Sequence, residues 1–382
     1  MIDRTSYIEK ITQNLKTFKV CTLLGPRQCG KTTIATHYAN LSKEKGEKVH
    51  FFDLEDPDHL NALENPKLVF QRLSGLIIID EIQRIPELFT VIRVMVDHYD
   101  KKFLILGSAS QELIRQSSET LAGRIIYNEV HPFRFNETHG MNQLWFRGGF
   151  PLSYLSESEQ SAQEWLKAYV KTFLEKDIPS FGFDINPSLI RRFWTMLCSY
   201  HGNIFNASEL GQSLDLNHKT TRRYLDILTG TFMMRTLQPW HANIQKRQVK
   251  QPKVYFRDSG IFHVLMGVKT SEDLLLNAKL GASWEGFAME EIISELKAEP
   301  EDCFFWATHG GAEIDLLINT PTGLNAYEFK FSNQPKITKS IQEAINTLAL
   351  EKVLIVVPGN MDYPLSDQVW VIGLEKLLEH QQ

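Results

Sequence analysis

The octapeptide Gly25-Pro26-Arg27-Gln28-Cys29-Gly30-Lys31-Thr32 constrains this chain more than any other feature. Val20-Cys21-Thr22-Leu23-Leu24 before it reads as a short buried strand, and Thr33 to Tyr38 after it reads as helix. A glycine-rich turn between strand and helix, closed by Lys-Thr, lets main-chain N–H groups curl around phosphate oxygens at the positive end of a helix dipole. The spacing therefore predicts an α/β domain built on a parallel sheet. Gly25, Pro26, Arg27, Gln28, Cys29, Gly30, Lys31, Thr32 and Thr33 are expected to line a nucleotide. In Mg2+-ATP, Lys31 would neutralise the β- and γ-phosphates and the Thr32 hydroxyl would ligate Mg2+.

A second run supports the first. Leu76-Ile77-Ile78-Ile79-Asp80-Glu81 has four consecutive apolar residues, the pattern of a strand covered on both faces. Its two carboxylates fall at the C-terminal end, where open α/β sheets bind ligands. Asp80 is expected to hold Mg2+ and Glu81 to orient and deprotonate an attacking water. Lys102-Phe103-Leu104-Ile105-Leu106-Gly107 reads as another strand, ending at Ser108-Ala109-Ser110. Ser108 would sense the γ-phosphate, or cap a helix starting near Gln111. Arg124 would serve as an arginine finger in cis or in trans, or form a structural salt bridge; action in trans would require a homo-oligomer. Cys29, beside Lys31 and a helix N-terminus, is expected to have a lowered pKa, so that its alkylation would block ATP binding; the alternative is an inert space-filling thiol.

At 382 residues the chain exceeds one ordinary core and predicts two or three domains. A net charge of -5 supplies no global field toward nucleic acid, so DNA binding would need a local basic patch. The four cysteines are far apart and show no zinc-ligand spacing, which fits a reducing cytoplasmic setting. The polar N-terminus does not read as a signal peptide, and no apolar run approaches the ~18 residues of a membrane span.

The middle of the chain reads as helical. Glu159 to Lys176 carries Trp165, Leu166, Tyr169, Val170, Phe173 and Leu174 on one face. Asn206 to Leu214 and His218 to Leu228, joined by Asp215-Leu216-Asn217, have helix-turn-helix spacing, and Phe232 to Leu237 could begin a wing. His218, Lys219, Arg222 and Arg223 cluster on the second helix, where they would meet DNA phosphates or form a solvated face. The run Lys246-Arg247-Gln248-Val249-Lys250-Gln251-Pro252-Lys253 reads as a second basic surface patch.

The last segment predicts an α/β core. Cys303 to Trp306, Glu313 to Ile318 and Ala326 to Lys330 read as strands, with residues 319–325 as a hairpin loop. Glu328 and Lys330 would share a strand face, with Asp315 on the neighbouring strand and Glu285 on a helix. Asp315, Glu328 and Glu285 would form a second metal site, and Lys330 would orient water or stabilise phosphate charge. A charged, solvated strand face is the alternative.

Together these motifs resemble the prokaryotic AAA-type ATPases that carry a C-terminal domain of restriction-endonuclease-like, PD-(D/E)xK, fold. The matching residues are G-P-R-Q-C-G-K-T-T (25–33), F-D-L-E-D-P (52–57), I-I-D-E-I-Q-R-I-P (78–86), L-G-S-A-S (106–110), L-A-G-R (121–124), H-P-F (131–133), G-G-F-P (148–151), V-Y-F-R-D-S-G (254–260), W-E-G-F (284–287), G-A-E-I-D-L-L (311–317) and Y-E-F-K (327–330). The resemblance covers almost the whole chain and implies a P-loop NTPase domain over 1–155, a helical winged-helix-like domain over 156–250 and a restriction-endonuclease-like α/β domain over 251–382. The whole-protein expectation is an ATPase acting as a switch on DNA or a protein partner; the rivals are an ATP-gated nuclease and an ATP-binding scaffold. Cys29 stands where such proteins usually have an apolar residue, which leaves a loop working through backbone amides intact.

Overall fold

Val20–Leu24 (β1), Val49–Asp53 (β2), Leu76–Asp80 (β3), Lys102–Gly107 (β4) and Ile125–Glu129 (β5) form a parallel sheet in the order β2-β3-β4-β1-β5. Every residue of β1 and β3 is buried, because helices cover both faces. Period-two alternation divides the core. Cys21, Leu23, Ile78 and Leu104 face α1 (Thr5–Thr17) and α2 (Lys31–Glu44), which contribute Ile11, Leu15, Ile34 and Ala35. Val20, Ile77, Ile79, Phe103 and Ile105 pack on the other face with Phe70, Phe89, Ile92 and Met95.

The computed structural model describes residues 2–108, 121–240 and 249–379. Ser110, the helix expected from Gln111, and Lys246, Arg247 and Gln248 of the basic run lie outside the described residues. The chain forms two compact units. The first comprises the chain up to Pro132 together with Lys176–Asp184 and Gly230–Phe232; the second comprises Phe133–Glu175, Ile185–Thr229 and the chain from Met233 onward. No helix of the described residues is long and apolar enough to cross a membrane.

The second unit is built on a nine-stranded mixed sheet. Its strands are Asn203–Ile204 (β6), Met234–Pro239 (β7), Lys253–Phe256 (β8), Cys303–Ala307 (β9), Glu313–Thr320 (β10), Gly323–Phe329 (β11), Val353–Val357 (β12), Asp362–Pro364 (β13) and Val369–Gly373 (β14), in the order β13-β14-β12-β11-β10-β9-β7-β8-β6. β9, β10 and β11 are antiparallel, whereas β11, β12 and β14 run parallel. The span 319–325, expected as a loop, is mostly strand. Thr320 pairs with Gly323, leaving Pro321 and Thr322 as the turn, and Gly323 takes a φ of +131° that favours glycine. The β9–β10 register shifts between Ile314 and Leu317, a bulge of the kind that re-aims side chains.

Helix Glu159–Thr172 begins at a Ser158 cap, whose hydroxyl accepts from the Ser161 N–H, and passes into a π-helical turn, Phe173–Asp177. Helix Ala207–Gln212 is capped by Asn206, and helix His218–Gly230 follows, burying Tyr224, Leu225 and Leu228. His218, Lys219, Arg222 and Arg223 are all exposed on that helix.

Candidate nucleotide site and a buried carboxylate cluster

The loop after β1 is shaped by close approaches. The Gly25 N–H donates to Gly107 O at 3.3 Å, and a Cβ at residue 25 would lie 2.1 Å from Val130 O. Gln28 (φ 65°) and Gly30 (φ 101°) pass through left-handed backbone, and Gly30 caps α2. Arg4 braces the turn from α1's N-terminal side, donating to Cys29 O and His131 O at 2.8 Å each.

Three strand ends converge on this loop. Lys31, only 5% exposed, donates to Gly25 O and Pro26 O at 2.9 Å and to Ser108 Oγ at 3.2 Å. Ser108 Oγ donates to Glu81 Oε1 at 3.1 Å, and the other Glu81 oxygen accepts from Gln83 Nε2. Thr32 Oγ1 donates to Asp80 Oδ2 at 2.7 Å. The sheet order explains Ser108: β4 lies between β1 and β3, so the residue after it falls between the lysine and the glutamate. Glu81 itself sits in left-handed backbone (φ 55°, ψ 45°).

Burial pushes the Asp80 carboxyl up to about 6, with Glu81 adding repulsion, while the Thr32 hydroxyl and Lys31 pull it down. A carboxylate desolvated in this way gains from a cation. One hydroxyl and one carboxylate are hard oxygen donors of the kind Mg2+ takes while keeping several waters. The residues present therefore fit Mg2+-ATP: Lys31 and the loop amides suit phosphate, and Thr32 and Asp80 suit the ion. Pro26 is buried in the turn, while Gln28 and Thr33 are exposed.

Two expectations change. The Cys29 thiol is fully buried in the core beside α2, and its Sγ contacts Val130 O at 3.4 Å. Burial raises its pKa and outweighs the lowering by Lys31 and Arg4, so Cys29 is not an activated thiol. Arg124 immediately precedes β5, and Val20 at the start of β1 pairs with Ile125. Because β1 and β5 are parallel, Arg124 lies at the sheet edge opposite the phosphate loop and is no finger in cis. It pairs instead with Asp97, Nε to Oδ1 at 2.5 Å and Nη2 to Oδ2 at 3.2 Å. Arg27 bridges Glu55 and the buried Asp177, the latter at 2.5 Å. Sequence reading missed Asp177 and Arg4, since nothing local marks either as a neighbour of the loop.

The second unit gathers Glu285, Asp315, Glu328 and Lys330 as the sequence suggested, but around residues it did not foresee. Glu285 stands on helix Leu280–Glu295, and its Oε1 accepts from the Tyr255 hydroxyl at 2.7 Å. Asp315 sits in the β10 bulge, and its Oδ2 accepts from the Phe329 N–H at 3.0 Å. Lys330 Nζ lies 2.7 Å from Glu328 Oε1. Lys253, expected on a basic surface patch, is instead buried at the start of β8. Its Nζ lies 3.6 Å from Glu285 Oε1 and 3.7 Å from Asp315 Oδ1, and it contacts Glu313 more closely. Among the described residues no group of three or more His, Cys, Asp or Glu is arranged to hold a metal ion.

Burial, followed by repulsion from Asp315, pushes Glu285 up to about 7 and Glu328 up to about 8. Burial pulls the Lys253 ammonium down, but Tyr255, Glu285, Asp315 and Glu313 together hold it well above its ordinary range. Lys253, Tyr255 and Arg257 alternate along and just past β8, a period-two signal that could have marked them. Arg257 faces a separate buried knot, in which Arg134, Arg235 and Arg257 surround Glu290.

A parallel sheet in this strand order, with the β1 loop closing onto α2 and an acidic end on β3, defines an AAA-type P-loop ATPase domain, and residues 17–139 match the AAA domain family. Residues 138–272 and 280–377 match two families described as domains of unknown function, DUF8612 and DUF4143. The whole chain belongs to the family of the "Uncharacterized protein Rv2008c" of Mycobacterium tuberculosis, with which it is 40% identical over 382 residues, covering 99% of this chain and 85% of the relative. A Haemophilus influenzae protein is 20% identical over 299 residues, 70% of this chain and 74% of its own. Among solved structures, the chain is similar to the Walker-type ATPase PABY2304 of Pyrococcus abyssi, with 15% identity and a TM-score of 0.49 over 69% of this chain and 96% of that one.

Proposed function

We propose that the first unit binds and hydrolyses Mg2+-ATP and that the chain uses this cycle as a switch on DNA or a protein partner. The convergence of Lys31, Ser108 and Glu81, beside Thr32 and Asp80, carries the reading. Lys31 and the amides of residues 25–33 bind and orient the phosphates. Thr32 and Asp80 would hold Mg2+, which would screen the phosphate charge. Glu81 would accept the proton of the attacking water, and Ser108, which bonds both Glu81 and Lys31, would fix the carboxylate relative to the phosphate-binding lysine.

The target side of the switch rests on the helical segment of the second unit. Helix Ala207–Gln212, helix His218–Gly230 and the strands after it support a winged-helix-like reading of 156–250, following the ATPase segment 1–155. The exposed His218, Lys219, Arg222 and Arg223 supply the local basic face that a chain of net charge -5 needs to meet phosphates. ATP hydrolysis measured with and without DNA, in wild type, Lys31→Ala and Glu81→Gln, tests both parts. Turnover that DNA stimulates and either substitution abolishes supports the switch; nucleotide binding without turnover supports a scaffold and overturns hydrolysis.

A second reading, an ATP-gated nuclease, is favoured by the meeting of Glu285, Asp315, Glu328 and Lys330 in a segment, 251–382, that resembles restriction-endonuclease-like domains. Cleavage of DNA or RNA with Mg2+ or Mn2+ that is lost in Lys330→Ala would support it. Its absence on every nucleic-acid form would leave the cluster without that role.

A further inference from the structure

Both oxygens of the Glu81 carboxylate are held by other side chains. β3 ends at Asp80, Glu81 turns through left-handed backbone, and Ile82–Arg84 follows as a single 3-10 turn. Two of the three residues in that turn are anchored. Ile82 is fully buried in the core. Arg84 donates through Nη1 to Leu54 O at 3.3 Å and through its N–H to Glu81 O at 3.0 Å. Gln83 stands between them, and its side chain folds back on the carboxylate. Its Nε2 donates to Glu81 Oε2, while Ser108 Oγ donates to Glu81 Oε1 at 3.1 Å. An ionised carboxylate only accepts hydrogen bonds, so the Gln83 amide must present its nitrogen to Glu81 and keep its oxygen for something else. That oxygen, Gln83 Oε1, is buried and has no hydrogen-bond partner among the described residues. Buried acceptors in folded proteins are almost always satisfied, so an open one beside a carboxylate of the hydrolysis site asks for a function.

We propose that Gln83 is a positioning residue of the hydrolysis site: its Nε2 fixes Glu81, and its Oε1 accepts a hydrogen bond from the same water that Glu81 deprotonates. The inference rests on the hydrolysis reading above and adds a residue to it. One donor on each Glu81 oxygen leaves a lone pair free on each, so the tether does not block proton transfer. A carboxylate alone fixes one hydrogen of the water and lets the molecule turn about that bond. A second acceptor two residues away engages the other hydrogen and leaves an oxygen lone pair for the phosphorus. An amide suits the task because it stays neutral and offers a donor and an acceptor at once. In the step itself, the water oxygen bonds the γ-phosphorus as the bond to the β–γ bridging oxygen breaks. ADP leaves with that electron pair, one water proton passes to Glu81, and the other stays on the phosphate formed.

Steady-state ATP hydrolysis and titration with a non-hydrolysable ATP analogue, both on the full chain with Mg2+, decide it. The proteins compared are wild type, Glu81→Gln, Gln83→Met and Gln83→Asn. Gln83→Met removes both amide groups at nearly the same size. It is expected to lower kcat by about tenfold or more while analogue affinity stays within about twofold, since the amide acts on the water and not on the phosphates. Gln83→Asn keeps donor and acceptor on a shorter arm and is expected to recover part of that loss. A kcat loss short of tenfold in Gln83→Met, or one matched by an equal loss of analogue affinity, overturns the proposal; the second result would mark a merely structural role. Equal kcat in Gln83→Asn and Gln83→Met also overturns it. If Gln83→Met does not fold, Gln83→Ala takes its place under the same criteria. Turnover that needs Glu81 but not Gln83 sinks this inference alone. Turnover absent from wild type, or untouched by Glu81→Gln, sinks the hydrolysis reading and this inference with it.

Discussion

Arg27 Nη1, in the turn between β1 and α2, lies 2.5 Å from Oδ1 of Asp177, which stands 150 residues further along the chain. Asp177 is only 3% exposed, and burial raises its pKa while Arg27 lowers it. The pair ties the phosphate loop to the last residue of the π-helical turn. Replacing Asp177 by Asn removes one of the carboxylates that Arg27 bridges. Because hydrogen bonds to charged partners contribute about 1.5–3 kcal/mol, Asp177→Asn is expected to destabilise the first unit by about 1–3 kcal/mol. It should also weaken nucleotide affinity by loosening the loop. Urea midpoints and nucleotide titrations, combined in a double-mutant cycle with Arg27→Met, check this. Zero coupling between the two changes would show that the pair does not act as a tie.

Arg124 is expected to be dispensable within one chain. It lies at the sheet edge opposite Lys31 and is held by Asp97. Arg124→Ala should leave ATP turnover within about twofold of wild type, since an arginine finger is worth about 10³-fold or more. A loss of that larger size would place Arg124 in a neighbouring subunit's site, and turnover per chain would then depend on protein concentration.

Thiol reagents should find nothing to react with in the folded protein. All four cysteines are free and buried, and burial raises Cys29 while pushing Cys21 and Cys198 up to about 12. A chromogenic disulfide reagent at pH 8 is expected to report no rapid thiol in native protein and four after denaturation. Rapid stoichiometric labelling of Cys29 would contradict the burial argument.

The second unit should lose stability in mild acid. Burial pushes His201 down to about 3 and His263 down to about 4. In His201, Nδ1 accepts the Phe256 N–H at 3.0 Å while Nε2 faces Ala282 O at 3.1 Å, so a second proton would cost a backbone hydrogen bond. Unfolded imidazoles take up a proton near 6.5. Between that value and their folded values the unfolded chain binds more protons. Stability is therefore complete above pH 6.5 and falls as pH drops, by up to about 1.4 kcal/mol per pH unit for each histidine. Denaturant midpoints across pH 4–7, compared with His201→Gln, should show a shallower slope in the variant; identical slopes would reject this origin.

What the sequence revealed was whatever local periodicity encodes. The strand–loop–helix from Val20 to Tyr38 and the buried run ending at Asp80 could be read directly, because burial on both faces leaves an apolar run and a phosphate loop needs its glycines. Glu285, Asp315, Glu328 and Lys330 also come together, since period two places Glu328 and Lys330 alike. Lys253 was misread because a lysine in a basic run looks solvated until three carboxylates are folded around it. Arg124 was misplaced because its motif spacing does not say which end of a parallel strand it occupies. Asp177 was invisible for a third reason: its partner lies 150 residues away.

Glu81 occupies a backbone conformation (φ 55°, ψ 45°) that a side chain beyond Gly or Asn adopts only at a cost of about 1 kcal/mol or more. Main chain and the hydrolysis proposed for Glu81 therefore ask for different residues at one position. Asparagine would sit there at ease but could not take a proton from water, so a search for heat-resistant variants that screens on melting alone will be drawn to this position and will discard turnover there.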